Sequence, residues 1–226
     1  MVTAKELMDR FRKLIERLLS DSEKFESDGA AYELLQCYFD GAPIKSLVPL
    51  LRRNEPEIVQ AAVWIASELG GQASSLVPDV VPLTNSPNRY VRYHALEILA
   101  AAARDNNSRH LARLVEELKG GDSVTRILSM KLLARLESQR LRQAAELAAP
   151  HSEAARGLSY LAEADALSEE DISMALKNED SLWRKFAGIA SYRVDTQSCT
   201  VLDQALQNKD PDVQRFAEQM REWINA

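Results

Sequence analysis

The residues that could carry chemistry are few and widely spaced in this sequence. The three histidines, His94, His110 and His151, do not lie at metal-ligand spacing, and neither Cys37 nor Cys199 has a histidine near it in the chain. The sequence also has no phosphate-binding glycine loop, no nucleophile elbow and no HExxH motif. We therefore expect no metal, no other cofactor and no catalytic site, so that the protein is not an enzyme.

Composition and charge narrow the class of partner. The chain has 226 residues, with 46% hydrophobic and 27% charged residues and a formal net charge of -6. This is the balance of a globular protein, and the negative charge disfavours binding to nucleic acid. Two cysteines do not form a disulfide framework, and neither a signal peptide nor a membrane-spanning apolar run is present. We predict a cytoplasmic protein that is a monomer on its own and binds neither nucleic acid nor membrane.

A small residue recurs at intervals of 28 to 34 residues, with an apolar or small residue four positions before it in most units. Positions -4, 0 and +3 lie on one face of a helix, so the pattern predicts a buried stripe in each repeat. The small residue at its centre would let neighbouring helices approach closely. The small residues are Ala31, Ala62, Ala95, Ser129, Ser159, Ala187 and Ala217.

Helix-start residues support the same alignment. Seven positions before the small residue, five of six repeats carry a residue that is favoured at the N-cap of a helix. In two repeats the next residue is a proline, Pro56 or Pro211, at the first position of the helix, where proline is well tolerated. A first helix precedes each of these second helices, and Pro49 and Pro82 should kink it. The predicted second helices are 28–39, 56–70, 88–103, 122–137, 152–165, 181–193 and 211–225.

The second-helix pattern resembles that of HEAT repeats. The stretches 47–62 (LVPLLRRNEPEIVQAA) and 210–217 (DPDVQRFA) are similar to the short bacterial HEAT-like type, and the resemblance covers residues 43–225. It implies an all-α fold, a right-handed α-α superhelix (HEAT-like solenoid) of about seven helix pairs. The chain would be a single helical-repeat domain, 1–226, with an N-terminal capping helix pair at 1–40 and six HEAT-like units at 41–226.

Four consecutive repeats carry an arginine at one position of the second helix. These residues are Arg92, Arg126, Arg156 and Arg184. In HEAT proteins the acid of the turn and this arginine form a ladder between stacked units, so the resemblance implies Asp122 and Asp180 as acceptors. The alternative is a cationic stripe that binds phosphate or an acidic peptide.

Two surfaces are candidates for binding a partner protein. Repeat proteins bind on their concave surface, and Trp64, Tyr93, Glu97 and Lys131 occupy positions that should turn toward it. Trp64 and Tyr93 would be the anchors, because large aromatic residues dominate many interfaces. The alternative is that both rings only fill space between helices.

The second surface is an acidic segment, which we define as residues 163–180. It holds seven acids and one lysine, so the rest of the chain is neutral overall. Its candidate binding residues are Glu163, Asp165, Glu169, Glu170 and Asp171. The alternative is a capping box at 168–171, with acids that complement the helix dipole.

These features predict a non-catalytic scaffold that binds a basic protein partner. A concrete form is a bacterial immunity or antitoxin-like protein that neutralises a basic toxin domain, such as a nuclease. The alternative is a HEAT-like enzyme or enzyme accessory, similar to DNA glycosylases or to bilin lyases. The sequence leaves open which of the two surfaces is the main one.

Overall fold

The computed structural model describes residues 3–25, 27–194 and 200–225. These residues form helices and connecting turns without a β-strand, so the all-α prediction is confirmed. Their contacts group into two compact units, Met1–Ala103 and Arg104–Ala226. The organisation as one domain stays a prediction.

The first unit consists of helix pairs in the predicted order. Its second helices are α3, α5 and α7, and each packs on the next. The helices are α1 (Ala4–Ser20), α2 (Ser22–Phe25), α3 (Ala30–Phe39), α4 (Val48–Leu51), α5 (Pro56–Glu68), α6 (Val77–Val80) and α7 (Arg89–Ala102), with 3-10 helices at Ile44–Leu47, Gly70–Leu76 and Val81–Asn85.

Proline breaks up the first helices of this unit more strongly than a kink would. Pro49 is the second residue of α4, which follows a 3-10 helix directly. Pro82 is the second residue of the 3-10 helix Val81–Asn85, which follows α6. Proline has no amide hydrogen to donate, so the chain continues in short segments instead of one α-helix.

The second unit also alternates first and second helices. Its second helices are α9, α11, α13 and α15. The helices are α8 (Ala112–Gly120), α9 (Ser123–Arg135), α10 (Ser138–Leu147), α11 (Glu153–Ala162), α12 (Glu169–Leu176), α13 (Ser181–Val194), α14 (Thr200–Leu206) and α15 (Pro211–Ile224), with 3-10 helices at Asp105–Leu111 and Ala164–Ala166.

The predicted N-caps account for where the second helices start. In each case a side-chain oxygen accepts a hydrogen bond from a backbone amide of the first turn, which satisfies a group that the helix itself leaves free. The capping residues are Asn88, Asp122, Ser152, Asp180 and Asp210.

Most of the small residues lie in the core, but Ser159 does not. Ala62, Ala95 and Ala187 are fully buried, whereas Ser159 is exposed, so its assignment to the buried stripe is wrong. The reason lies at Gly157, where an added Cβ would be 2.0 Å from Cζ of Phe186. This close approach between α11 and α13 turns residue 157, not residue 159, toward the core.

Helix packing in the second unit departs from a simple stack. α9 contacts both α13 and α15, while α11 packs on α8, α10 and α13. Arg193 of α13 donates to the carbonyl oxygens of Leu136, at 2.6 Å, and Ala134, at 3.2 Å, at the end of α9. The Arg135 guanidinium lies 5.2 Å from the ring centroid of Trp223 in α15. Helices far apart in sequence are therefore neighbours in this unit.

Candidate functional site

Aromatic side chains from three successive second helices form one surface in the first unit. We call it the aromatic face, and it comprises Tyr32 of α3, Trp64 and Ser67 of α5, and Tyr90, Tyr93, His94 and Glu97 of α7. The Tyr32 and Trp64 rings meet edge to face, with centroids 4.9 Å apart and planes at 72°. Edge-to-face pairs are favourable in themselves, so the two rings hold each other in place.

His94 is the centre of the face on α7. Its ring centroid lies 4.5 Å from that of Tyr90 and 5.3 Å from that of Tyr93. Its Nδ1 atom lies 3.0 Å from Oγ of Ser67 and 2.9 Å from Oε2 of Glu97. These contacts join α5 to α7 and fix the orientation of the imidazole ring.

The hydrogen bonds of Ser67 determine the imidazole tautomer. Ser67 donates its hydroxyl hydrogen to the carbonyl oxygen of Trp64 at 2.8 Å. Since a serine hydroxyl has one hydrogen, Ser67 acts as an acceptor toward His94. The hydrogen of the neutral ring therefore resides on Nδ1, where Glu97 also accepts it.

The face is accessible to a partner. Tyr32 is 68% exposed and Tyr90 is 40% exposed, while Trp64 and Tyr93 are half-buried. The candidates Trp64, Tyr93 and Glu97 thus lie in one cluster. The sequence pattern does not indicate Tyr32, because this residue lies next to the small residue Ala31 in the region that is expected to form an irregular capping pair.

Carboxylates outnumber arginines on the helices that carry the face. α3, α5 and α7 hold four glutamates, Glu33, Glu57, Glu68 and Glu97, and two arginines, Arg89 and Arg92. Glu33 pairs with Arg10 of α1 at 3.1 Å. Around the aromatic face the helices thus carry an excess of negative charge.

Lys131, the fourth candidate, belongs to the second unit. It is half-buried on α9. Burial lowers the pKa of its ammonium group, as does Arg135, while Glu222 of α15 opposes the shift. Charged groups of both helices thus act on Lys131, and it lies in another unit than the aromatic face.

The acidic segment is exposed at each of its five candidate residues, Glu163, Asp165, Glu169, Glu170 and Asp171. Asp165 accepts a hydrogen bond from Ser138 at 3.2 Å. Ser168 donates to Asp171 at 2.6 Å and completes a capping box. These hydrogen bonds lower the pKa of the Asp171 carboxyl group. Capping thus occupies Asp171, and Glu163 and Glu170 form no ion pair within the described residues.

The arginines at the ladder position differ from one another. Arg92 donates to the carbonyl oxygens of Ser86 at 2.7 Å and Pro87 at 3.1 Å, just before its own helix. Arg156 is exposed on α11. Across the described parts of the chain, no ion pair or side-chain hydrogen bond is formed by Arg156.

Arg126 pairs with a different acid from the expected one. Its Nε atom donates to Asp212 at 2.6 Å, and its Nη1 atom donates to the carbonyl oxygen of Gly121. The hydrogen bond with Asp212 raises the pKa of the guanidinium group. Asp122 caps α9 through the amide of Val124 at 3.0 Å. Because Asp122 serves the helix start, Arg126 takes its carboxylate partner from α15.

Arg184 repeats this arrangement on α13. Its Nη1 atom donates to the carbonyl oxygens of Asn178 at 2.8 Å and Glu179 at 2.6 Å. Its Nη2 atom lies 3.4 Å from Asp210. Asp180, the expected acceptor, caps α13 through the amide of Leu182 at 2.8 Å. Arg126 and Arg184 thus both bind carbonyl groups near the start of their own helix and an aspartate of α15 or its cap.

The described part of the chain was searched for metal-ligand clusters and for membrane-spanning helices. It contains no group of three histidine, cysteine or carboxylate side chains that could hold a metal ion. A search of the same residues finds no helix with the length and hydropathy needed to cross a membrane. Cys37 is buried and free, and Cys199 lies outside the described residues.

Comparison with known proteins identifies the fold. No family model matches this chain, and no curated protein sequence does. Among solved structures, an archaeal HEAT-like repeats protein from Thermococcus onnurineus is 15% identical, with a TM-score of 0.52 over 95% of this chain and 97% of the other. A designed armadillo repeat protein is 16% identical, with a TM-score of 0.54 over 97% and 100%. An engineered protein is 19% identical, with a TM-score of 0.53 over 95% and 96%. The chain thus has the fold of HEAT-like and armadillo-type helical repeat proteins, as its sequence pattern predicted.

Proposed function

We propose that this chain is a protein-binding scaffold, and that its aromatic face holds a basic segment of the partner. The observation that carries the proposal is the edge-to-face pair of Tyr32 and Trp64 beside the His94–Glu97 pair. Aromatic rings attract guanidinium and ammonium groups through their faces, and a nearby carboxylate adds a charge-assisted hydrogen bond. An arginine or lysine side chain of the partner fits this combination.

The fold supports the proposal in a general way. The designed armadillo repeat protein of similar fold was determined in complex with the peptide (KR)4. A helical repeat protein can therefore hold a basic peptide. The excess of glutamate over arginine on α3, α5 and α7 gives this chain the matching sign of charge.

The acidic segment would act in the same interaction as a steering surface. Its exposed carboxylates raise the rate at which a basic partner is encountered, which is the usual effect of charges outside the contact itself. The two surfaces then have separate roles, since the aromatic face supplies affinity and the acidic segment supplies association rate.

A basic toxin domain is one partner with the required chemistry. In that case the chain would serve in the bacterial cytoplasm as an immunity or antitoxin-like protein, and the neighbouring gene would encode the toxin. Inhibition of that purified toxin by this protein would test this specific form. No observation on the described residues favours the glycosylase-like or bilin-lyase-like alternative.

The general proposal can be tested with the peptide (KR)4 as the probe. Binding is measured by calorimetry at low salt for the wild type and for Trp64→Ala, Tyr32→Ala and Glu97→Gln. Loss of an aromatic anchor typically costs about 2 kcal/mol or more, or about thirtyfold in affinity. Trp223→Ala is the matched control, because Trp223 is 58% exposed and belongs to the second unit.

The outcomes separate clearly. We expect weaker binding for the three variants of the aromatic face and wild-type binding for Trp223→Ala. Tyr32→Ala keeps the test valid if Trp64→Ala is poorly folded, because Tyr32 is mostly exposed. The proposal would be rejected if the wild type did not bind the peptide. It would also be rejected if Tyr32→Ala and Glu97→Gln bound the peptide as tightly as the wild type does.

A further inference from the structure

Four side chains near the C-terminal ends of three second helices form one surface in the second unit. We call it the cationic face, and it comprises Lys131 and Arg135 of α9, Tyr192 of α13 and Trp223 of α15. The Arg135 guanidinium lies 5.2 Å from the centroid of the Trp223 ring, and the ring centroids of Tyr192 and Trp223 are 6.4 Å apart. Arg135 is exposed, and so are Trp223 and the neighbouring Ile224. A partner can therefore reach the face.

The positive charge of this surface comes from α9. This helix carries three cationic residues, Arg126, Lys131 and Arg135, and no aspartate or glutamate, in a chain whose net charge is -6. Arg126 is compensated by its ion pair with Asp212. Among the residues that the structure describes, neither Lys131 nor Arg135 has an ion-pair or hydrogen-bond partner. The two charges on the face are therefore available to a ligand.

These two cations repel each other, because residues four positions apart lie on the same side of a helix. Burial and the charge of Arg135 lower the pKa of the Lys131 ammonium group, while Glu222 of α15 opposes the shift. One carboxylate thus acts against two cations, and the face keeps a positive charge. A bound anionic group would relieve the repulsion.

The C-terminal end of α9 does not require Arg135 as its cation. Helix C-termini carry partial negative charge on carbonyl groups that the helix leaves free. At α9 this charge is balanced by Arg193 of α13, which donates to the carbonyl oxygens of Ala134 at 3.2 Å and Leu136 at 2.6 Å. Arg135 therefore keeps its own hydrogen-bond donors for a group outside the helix.

We propose that the cationic face binds an acidic segment of a partner protein, with a carboxylate on Arg135 and Lys131 and an apolar side chain against Trp223. A guanidinium that lies against an aromatic ring is held in place, and its planar set of N–H donors matches the two oxygens of a carboxylate. Tryptophan is among the residues that most often supply binding energy at interfaces. The face thus selects the opposite charge from the aromatic face and does not depend on the function proposed for that face.

A protein segment fits this surface better than a nucleic acid does. Bases stack on aromatic side chains, and cations contact the phosphates, so the two ligands share part of their chemistry. A nucleic acid strand, however, brings one negative charge with every nucleotide, and its binding depends on neutralising several of them. Two available cations beside Glu222, in a chain of net charge -6, match one or two carboxylates.

The test uses the acidic peptide (DE)4 and its uncharged analogue (NQ)4 as probes, with binding to the full chain measured by calorimetry at low salt. Trp223→Ala should weaken (DE)4 binding about thirtyfold, the usual loss for an aromatic anchor. Arg135→Gln should weaken it about fivefold, because its ion pair would be exposed to water. Arg142→Gln is the matched control, since Arg142 is an exposed arginine on α10 of the same unit, and it should bind as the wild type does.

The same variants should bind (KR)4 with wild-type affinity, and the uncharged (NQ)4 should not bind to the wild type. Arg135→Gln keeps the test valid if Trp223→Ala is poorly folded, because Arg135 is exposed. The proposal would be overturned if the wild type did not bind (DE)4, or if Arg135→Gln and Trp223→Ala bound it as tightly as the wild type does.

Two further measurements separate the acidic segment from other occupants of the face. Tighter binding of an oligothymidylate of the same length than of (DE)4 would overturn the proposal in favour of a nucleic acid. Sedimentation of the wild type and Arg135→Gln at low salt tests for a second copy of the chain. A dimer that Arg135→Gln abolishes would show that the face joins two copies, and would overturn the proposal as well.

Discussion

Arg126 and Asp212 join α9 to α15 across 86 residues of sequence, through a hydrogen bond of 2.6 Å from Nε to the carboxylate. Asp212 is 6% exposed, so the pair is shielded from water on the side of the acid. Lys185 of α13 also approaches Asp212, at 3.6 Å. The carboxylate of Asp212 in α15 thereby contacts side chains of both α9 and α13, which are second helices of the same unit.

Neutralising Asp212 should destabilise the protein. Asp212→Asn leaves Arg126 without its carboxylate partner and leaves Lys185 with Asp210 alone, and loss of one member of a buried ion pair costs about 3 kcal/mol. Urea unfolding measures the change. Asp203→Asn is the matched control, because the Asp203–Arg221 pair is more exposed and should contribute at most about 1 kcal/mol. Equal losses in both variants would contradict this account.

Acid should weaken the second unit partly through Asp210. Burial by itself raises the pKa of this carboxyl group, but the Ser181 hydrogen bond and the charge of Lys185 lower it overall. A carboxyl group with a lowered pKa stabilises the fold above its ordinary pKa, and this contribution is lost as the pH falls through the folded value. The free energy of unfolding of Asp210→Asn should therefore lie below that of the wild type at pH 7 and approach it below about pH 4. If the difference in unfolding free energy between the wild type and Asp210→Asn did not change with pH, the ionised Asp210 carboxylate would not be the source of the stabilisation.

Gly157→Ala should be strongly destabilising although alanine favours helix. The new Cβ would lie 2.0 Å from Cζ of Phe186, so the ring must move, and overpacking of this kind costs about 1–3 kcal/mol. Gly120→Ala in α8 is the control, because its Cβ would meet nothing within 4 Å. In the double variant with Phe186→Leu the two losses should not add, since the smaller side chain relieves the overlap. Simple additivity in thermal unfolding would show that the contact is not the cause.

Replacing Glu169 and Glu170 with glutamine should change stability by about 1 kcal/mol or less, because both lie in an exposed first turn of α12. If the acidic segment steers a basic partner, the same change should slow association at low salt. The difference should shrink at high salt, since the Debye length falls from about 10 Å at 0.1 M to about 3 Å at 1 M. Stopped-flow association rates with the (KR)4 peptide would measure it. If the wild type and the double glutamine variant associated with the peptide at equal rates at low salt, the acidic segment would serve only to cap α12.

The sequence predicted the helices well because their boundaries depend on local interactions. N-cap residues such as Asn88 and Asp122 satisfy amides two or three positions away, and such short-range bonds follow from spacing alone. Ser159 was misassigned because the buried side of α11 depends on how Phe186 packs against Gly157, and no regular interval encodes that contact.

The partners of the site residues were harder to predict because they lie far away in the chain. Asp122, the N-cap of α9, lies only four positions before Arg126, yet the arginine binds Asp212 of α15. Similarly, Trp64 was selected by its helical position, but its ring partner Tyr32 comes from another repeat. Spacing identifies which side chains share a helix face, while packing between repeats decides which of them meet.

The contact of α9 with α15 has a consequence for synthesis on the ribosome. A linear repeat array can fold from its N-terminus as each repeat emerges, because each unit needs only its neighbours. Here α9 lacks part of its packing surface and the carboxylate of Asp212 until α15 has left the exit tunnel. The nascent second unit would therefore wait for α15, and a chain that stops before α15 should be a substrate for chaperones and proteases instead of a shorter folded protein.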